Sequence, residues 1–336
     1  MFKTIKGLEK VASEEILEKL NLAKLVFSPY GPHGWLRCEV KDSSFPDVRR
    51  LRSISEAYML LHDETYTERF SIDHFADATV EAIPSYAPHA RRISVSAYST
   101  NKKFSQRVIQ GAFSKRIREK LNAECSLKDC DTILRINLLR KAVIAAIDLH
   151  IRPGNIQKKL ETHPTALLPP IAYCMIRLSS PQGDEQLLDP MCGCGTIPIM
   201  AALEWRELKI AGSDVSGDYV SCASRNAEAM GVADKVRFFV SDIADLPSKG
   251  IEADMIAVNP PYGIARPVQT ELKKFYDSIF EVAHRVLSSK GRIAIVTPYP
   301  EIIEKAASKF TFRVGSVYKI SEGELPRTIH IIEKSS

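Results

Sequence analysis

The sequence predicts an α/β protein whose carboxyl half is a doubly wound parallel sheet, and three observations lead there. From residue 165 onward, short apolar runs alternate with helical patterns, the signature of βαβ units. Three of those runs end on an acidic residue, at Asp189, Asp214 and Asp242. The last two runs, "FTFRVGSVYKI" and "RTIHIIEK", have only a turn between them, as a terminal hairpin would.

Along the chain, "GLEKVASEEILEKL" reads as a helix, "WLRCEV" as a strand and "VRRLRSISEAYMLL" as a second helix, which suits a small α+β unit over 1–70. In 71–150, "RRISVSAYS" reads as a strand, "SQRVIQGAFSKRIREKLN" as a basic amphipathic helix and "TILRINLLRKAVIAAIDL" as two strands. That helix has Val108, Ala112, Ile117 and Leu121 for a buried stripe. Residues 151–164, with Pro, Gly, Asn and several basic residues, read as a linker. The domain from 165 to 336 then reads as strands "EQLLDP", "KIAGSDV", "VRFFVSD", "ADMIAVN" and "RIAIVTP" with helices between them, before the hairpin.

The 336 residues suffice for two or three compact units. At 45% hydrophobic and 26% charged, the composition is that of a soluble globular protein. No apolar run is long enough for a membrane span and the first twenty residues lack the apolar centre of a signal peptide, so a cytoplasmic location is expected. Seven scattered cysteines without paired CxxC units predict reduced thiols and no metal site. The net charge of +5 is uneven: residues 91–160 hold 16 Lys and Arg against five Asp and Glu. A cationic excess between two slightly acidic regions predicts a polyanion-binding surface, RNA or DNA, with Lys102, Lys103, Arg107, Lys115, Arg116 and Arg118 as candidate contacts.

"LLDPMCGCGTIPIMAA" places Asp189 at a strand end, Gly193 and Gly195 in the turn and a helix beyond. A dinucleotide loop is disfavoured, because Pro198 takes the third glycine position and Asp189 would repel a pyrophosphate. A carboxylate there suits a ligand with an ammonium group. S-adenosylmethionine has one, and a ribose and adenine beyond it. Asp214 at the next strand end is placed for ribose hydroxyls, and Asp242, next to Ile243, for the adenine amino group.

In "VNPPYG" a core strand stops at Asn259, and two prolines lock the backbone without donating hydrogen bonds. An exocyclic base amine is a poor nucleophile because its lone pair is delocalised into the ring. If the Asn259 side-chain oxygen and the Pro260 carbonyl accept its two protons, the nitrogen can pyramidalise toward a methyl donor. Tyr262 can stack on the base and fix the line of attack.

"DPMCGCGT", "GSDVS", "SDIADLP" and "NPPYG" resemble the motifs of amino-methylating class I S-adenosylmethionine-dependent methyltransferases over about 165–336. The resemblance implies a Rossmann-like domain, a seven-stranded sheet with a terminal antiparallel hairpin, and S-adenosylmethionine as cofactor. It adds Cys192, Thr196, Val215, Ile243 and Asn259 to the cofactor residues, and Thr165 from the segment ahead of the first strand. The amino half resembles the ferredoxin-like and THUMP domains of tRNA-modifying enzymes, which implies binding to the 3' CCA end of tRNA. Together these resemble the THUMP-containing tRNA guanine-N2 methyltransferases, with position 6 of the acceptor stem favoured by Asn259. The sister group acting on guanosine 10 usually begins this motif with Asp. Alternatives are that position, a ribosomal RNA guanine, or, in another class, a non-catalytic RNA-binding or chaperone protein. No feature demands a dimer, so a monomer is expected.

Overall fold

Strands from residues 2 to 151 line up in one eight-stranded sheet in the computed structural model, which describes residues 1–27, 34–99, 101, 103–126, 129–152, 161, 166–262, 269–322 and 325–335. They are β1 (Phe2–Thr4), β2 (Leu22–Phe27), β3 (Trp35–Val40), β4 (Ile54–Thr65), β5 (Arg92–Ser99), β6 (Glu124–Cys125), β7 (Thr132–Leu138) and β8 (Ala142–Ile151). The sheet order is β2-β3-β1-β4-β8-β7-β5-β6, with β5 parallel to β6 and β7. The segments 1–70 and 71–150 both contribute strands to this sheet.

The chain forms two compact units, one of residues 1–3, 20–49 and 56–152, the other of residues 4–19, 50–55 and 153–336. Helix α1 (Glu9–Lys19) belongs to the second. In the first, α2 (Ile72–Tyr86) and α3 (Gln106–Leu121) cover one face of the sheet, burying Phe75, Ile109, Phe113 and Ile117 on Ile93, Val95, Leu134 and Ile136.

Two expectations are corrected here. The stretch "VRRLRSISEAYMLL" is not a helix: a short 3-10 turn over Pro46–Arg50 precedes the long strand β4, which pairs with β8. Ile54, Ala57 and Tyr58 are buried, and cross-strand pairing decides over helical propensity. In α3 the buried stripe is Ile109, Phe113 and Ile117, each four residues apart, while Val108 stands 47% exposed. Ala112 and Leu121 are only partly buried against that core.

The second unit is built on a seven-stranded sheet of β9 (Gln186–Asp189), β10 (Lys209–Asp214), β11 (Val236–Val240), β12 (Ala253–Val258), β13 (Leu287–Thr297), β14 (Phe312–Glu322) and β15 (Leu325–Lys334). Its order is β11-β10-β9-β12-β13-β15-β14, parallel except for β15, which is antiparallel to both β13 and β14. Alternate residues enter two cores. Leu187, Met255 and Ala257 meet α4 (Pro169–Leu178) and α5 (Thr196–Glu204), whereas Leu188, Ile256 and Val258 meet α7 (Gln269–Val286) and α8 (Pro300–Lys309). Burial on both faces is why these strands read as continuous apolar runs. Helix α6 (Gly217–Ala229) follows β10.

Val11 of helix α1 and Leu8, just ahead of the helix, pack into the first of those cores. The buried Glu15 carboxylate accepts from the Arg52 and Ser53 amides at 2.7 and 2.8 Å, which ties 50–55 to the helix. Gly7 carries φ +97°, and an added Cβ would lie 2.0 Å from the Lys319 carbonyl oxygen, so only glycine lets the chain pass β14 here. No helix among the described residues is long and apolar enough to cross a membrane.

Candidate active site

The parallel order reverses between β9 and β12, and at such a switch point the carboxyl ends of the strands diverge into a crevice. A cavity of about 520 Å³ lies there. Asp189, Cys192, Gly193, Thr196, Asp214, Val215, Asp242, Ile243, Asn259, Pro260 and Tyr262 all line it. Thr165 and Lys102 lie outside the described residues, as does the expected linker apart from Ile151, Arg152 and Glu161.

Asp189 ends β9 with its side chain fully enclosed, and its carboxylate accepts from the Met191 amide at 3.1 Å. Burial, and secondarily the charge of Asp214, push its pKa well above the usual carboxylate range. A buried carboxyl of this kind is poised for a cationic partner. Asp214 is pinned: one oxygen accepts from the Gly193 amide and the other from the Ser216 amide, each at 3.0 Å. It thereby shapes the turn and keeps its remaining lone pairs for hydroxyl donors. Asp242 caps the short 3-10 turn Ile243–Asp245, accepting from the Ala244 amide at 2.9 Å, and lines the cavity as well.

The turn itself is cross-braced. The Cys192 amide donates to the Ser213 carbonyl at 2.9 Å, and the Gly195 amide to the Cys192 carbonyl at 2.8 Å. Gly195, φ +86°, caps α5, and it does not line the cavity. A Cβ there would come within 3.0 Å of Ala223 and 3.1 Å of Phe238, so packing is what demands glycine. The buried Asn226 amide group donates to the carbonyls of Cys194 and Glu161, both at 2.9 Å, while its oxygen accepts from the Glu161 amide at 2.8 Å.

The expectation of reduced thiols throughout fails at one pair. Cys194 and Cys222 form a disulfide, because the start of α5 and the side of α6 bring their Cα atoms to 5.1 Å. Burial, with the nearby Asp189 and Asp214 charges, drives the Cys192 thiol far up in pKa, so it is an inert lining group.

Asn259 follows β12, with Pro260 buried behind it. The Tyr262 hydroxyl donates to the Asn259 side-chain oxygen at 2.5 Å, and the Tyr299 hydroxyl donates to the Tyr262 carbonyl at 3.0 Å. Sequence reasoning missed Met191, Tyr219, Ser241, Phe275 and Ser278 in the lining. Tyr219 had a signal, an aromatic in the first turn after "SDVS"; Phe275 had none, being one apolar residue of the amphipathic α7. Val215 and Tyr219 stand 71% and 40% exposed at the rim, a surface suited to a flat apolar ring.

The expected nucleic-acid contacts on α3 are distributed differently. Arg116 is engaged with Asp73 at 2.9 Å and Asp77 at 3.1 Å on α2, leaving its side chain 13% exposed. Lys115 lies 4.0 Å from Glu119, and Lys103 sits over the Phe104 ring. Arg107 and Arg118 are exposed.

A seven-stranded sheet in this order, with carboxylates ending β9 and β10 and an Asn-Pro-Pro-Tyr turn ending β12, defines the class I methyltransferase fold. Residues 157–326 match the family described as UPF0020, the RMKL-like methyltransferase domain. The chain belongs to that family. It is 29% identical over 250 residues to the tRNA (guanine(6)-N2)-methyltransferase of Methanocaldococcus jannaschii, a match covering 63% of this chain and 65% of that one. It is 28% identical to the tRNA (guanine(10)-N2)-dimethyltransferase of Methanothermobacter thermautotrophicus, over 60% of this chain and 58% of that one. The matches thus span less than two thirds of these curated relatives. The crystal structure of TrmN from Thermus thermophilus superposes with TM-score 0.85 and 20% identity, over 99% of this chain and 98% of that one. The structure of SMU.472 complexed with SAH superposes with TM-score 0.76 and 18% identity over 100% and 97%.

Proposed function

We propose that this chain transfers a methyl group from S-adenosylmethionine to the exocyclic N2 of a guanosine in tRNA, at position 6 of the acceptor stem. The observation that carries the reading is the placement of Asn259, Pro260 and Tyr262 in the same cavity as Asp189 and Asp214. The relatives named for guanine N2 of tRNA support the substrate class, and Asn259 in place of Asp supports position 6 over position 10. In this reading residues 1–70 are a ferredoxin-like domain, 71–150 a THUMP domain that holds the 3' CCA end, 151–164 a linker and 165–336 the catalytic domain. The protein acts as a cytoplasmic monomer.

The residues present fit the cofactor. Asp189, buried and with no ion pair among the described residues, would receive the ammonium group; Asp214 would take ribose hydroxyls; Val215, Tyr219 and Ile243 would offer apolar contact to adenine, and Asp242 would accept from its amino group. Bound there, the cofactor supplies an electrophilic methyl on sulfonium. The Asn259 side-chain oxygen and the Pro260 carbonyl would accept hydrogen bonds from the amine and stabilise the charge that develops on nitrogen, whose extra proton is lost to water once the methyl has moved, so no strong base is required. Tyr262 stacks on the base, which has left the helix at a cost of a few kcal/mol offset by that stacking.

Purified protein incubated with labelled S-adenosylmethionine and unmodified tRNA transcripts tests the reading. N2-methylguanosine at position 6, lost in Asn259→Ala, is the expected result. The same nucleoside at position 10 would keep the chemistry and overturn the use made of Asn259. Bound tRNA with no methyl transfer would sink the enzyme reading.

A further inference from the structure

The face of the eight-stranded sheet opposite α2 and α3 holds a second cavity, of about 440 Å³. Strand alternation creates it. Val95, Leu134 and Ile136 pack beneath the helices, so Ser96, Tyr98, Arg135 and Asn137 project to the other side, where they line the cavity. Its floor is apolar: Trp35 and Tyr58, with ring centroids 5.4 Å apart, pack on Ile144 and Ala146. At the edge stands Tyr98, 52% exposed.

The charges around this ring are unequal. Lys3, Arg135 and Arg140 line the cavity together with one carboxylate, Glu56; Lys3 Nζ lies 4.7 Å over the Trp35 ring, and Arg152 engages Glu56 at 3.5 Å. Arg135 is fixed in advance. It donates to the Ser96 hydroxyl at 2.8 Å and to the buried Asp148 carboxylate at 3.3 Å. Asp148 keeps its charge: burial raises its pKa, but Arg152 and the His150 amide outweigh that and bring it below the ordinary value. Arg135 therefore presents a planar guanidinium beside an exposed phenol ring, with Arg140 exposed next to it.

A free aromatic face among cations suits a base that has one free π face and a phosphate on either side. A duplex end-to-end stack hides those faces, whereas an unpaired strand offers them. On α3 the one aromatic residue, Phe113, is buried and offers no ring to a base, and Arg116 and Lys120 are paired with carboxylates of α2. We infer that this open sheet face binds an unpaired stretch of RNA, one base stacked on Tyr98 and its phosphates toward Arg140 and Lys3. The inference rests on the RNA substrate argued above and deepens it, assigning the strand to this face in preference to α3.

The full chain is titrated with a labelled single-stranded RNA oligonucleotide and, in competition, with a blunt-ended duplex of two strands of the same composition. Tyr98→Ala weakens the single strand by about tenfold, the scale of one lost base stack, and Tyr98→Phe, which keeps the ring, does not. Arg140→Ala lowers the slope of log affinity against log salt by about 0.7, one phosphate contact on a single strand. Lys115→Ala leaves affinity within about twofold, as for an exposed charge off the path. Unchanged affinity in Tyr98→Ala, or a duplex that competes as well as the strand, overturns the inference. Tyr98-dependent binding without methyl transfer would strike the proposed activity alone. Methyl transfer to RNA with no role for Tyr98 would strike this site alone.

Discussion

The Tyr262 hydroxyl donates to the Asn259 side-chain oxygen at 2.5 Å, so the acceptor assigned to the substrate amine already has a donor. In the proposed reaction the phenol stands in for the amine, and the base must displace it. Tyr262→Phe removes that competitor and keeps the ring. Steady-state kinetics should show kcat within about threefold of wild type and an equal or lower KM for RNA, whereas Tyr262→Ala loses about tenfold or more in kcat/KM with the stack. Equal losses in both variants would show that the hydroxyl, and not the ring, matters.

Asp189 links cofactor binding to pH. Its pKa is raised by burial, so below that raised value the empty site holds a neutral carboxyl, and an ammonium ligand favours the ionised form. Binding therefore releases a proton, and affinity falls as pH falls. Calorimetry in two buffers of different ionisation enthalpy measures the release directly. Asp189→Asn should abolish it and weaken binding; a release that survives the substitution would assign the proton elsewhere.

Asn226 fastens the cofactor turn. Its loss in Asn226→Ala leaves the buried Cys194 carbonyl short of a partner, at about 1–3 kcal/mol, and releases the exposed Glu161 backbone to water. The midpoint of thermal unfolding should drop by several degrees and cofactor affinity should fall, with kcat at saturation little changed. A variant with normal cofactor affinity would show that the turn holds without the clasp.

His330 makes stability depend on pH. The Thr328 hydroxyl donates to the Thr297 carbonyl at 3.1 Å, so it accepts from His330 Nε2 at 2.9 Å, and the buried Nδ1 has no partner among the described residues. Burial holds the pKa down at about 4, from an ordinary 6.5. Because the folded value is the lower one, the stabilisation is full above about pH 6.5 and is lost as pH falls toward 4. Thermal melts between those limits should show the decline, and His330→Gln should flatten it.

The carboxyl half was legible because its strands are buried on both faces and its turns carry residues with few alternative uses. "NPPY" and the acidic strand ends all face one cavity. The amino half was harder to read. The stretch from 48 to 61 has helical spacing, yet pairing with β8, set by residues some ninety positions away, makes it a strand. Nor does charge count reveal which cations are already paired: Arg116 reads as a free contact and is held by Asp73 and Asp77. Cys194 and Cys222 lie 28 residues apart, and only the packing of α5 beside α6 brings them together.

Helix α1 and residues 50–55 belong to the same compact unit as the parallel sheet, although about a hundred residues of another unit follow them in the chain. During synthesis α1 must therefore wait, with Leu8 and Val11 uncovered, until α4 and the strands beyond it have emerged. A gene fragment cut at the apparent linker would lack this helix for good, leaving bare a patch worth about 1.5–3 kcal/mol per large apolar side chain. The unit that holds the cavity is thus assembled from separated stretches of the chain and is not a cassette that can be moved alone.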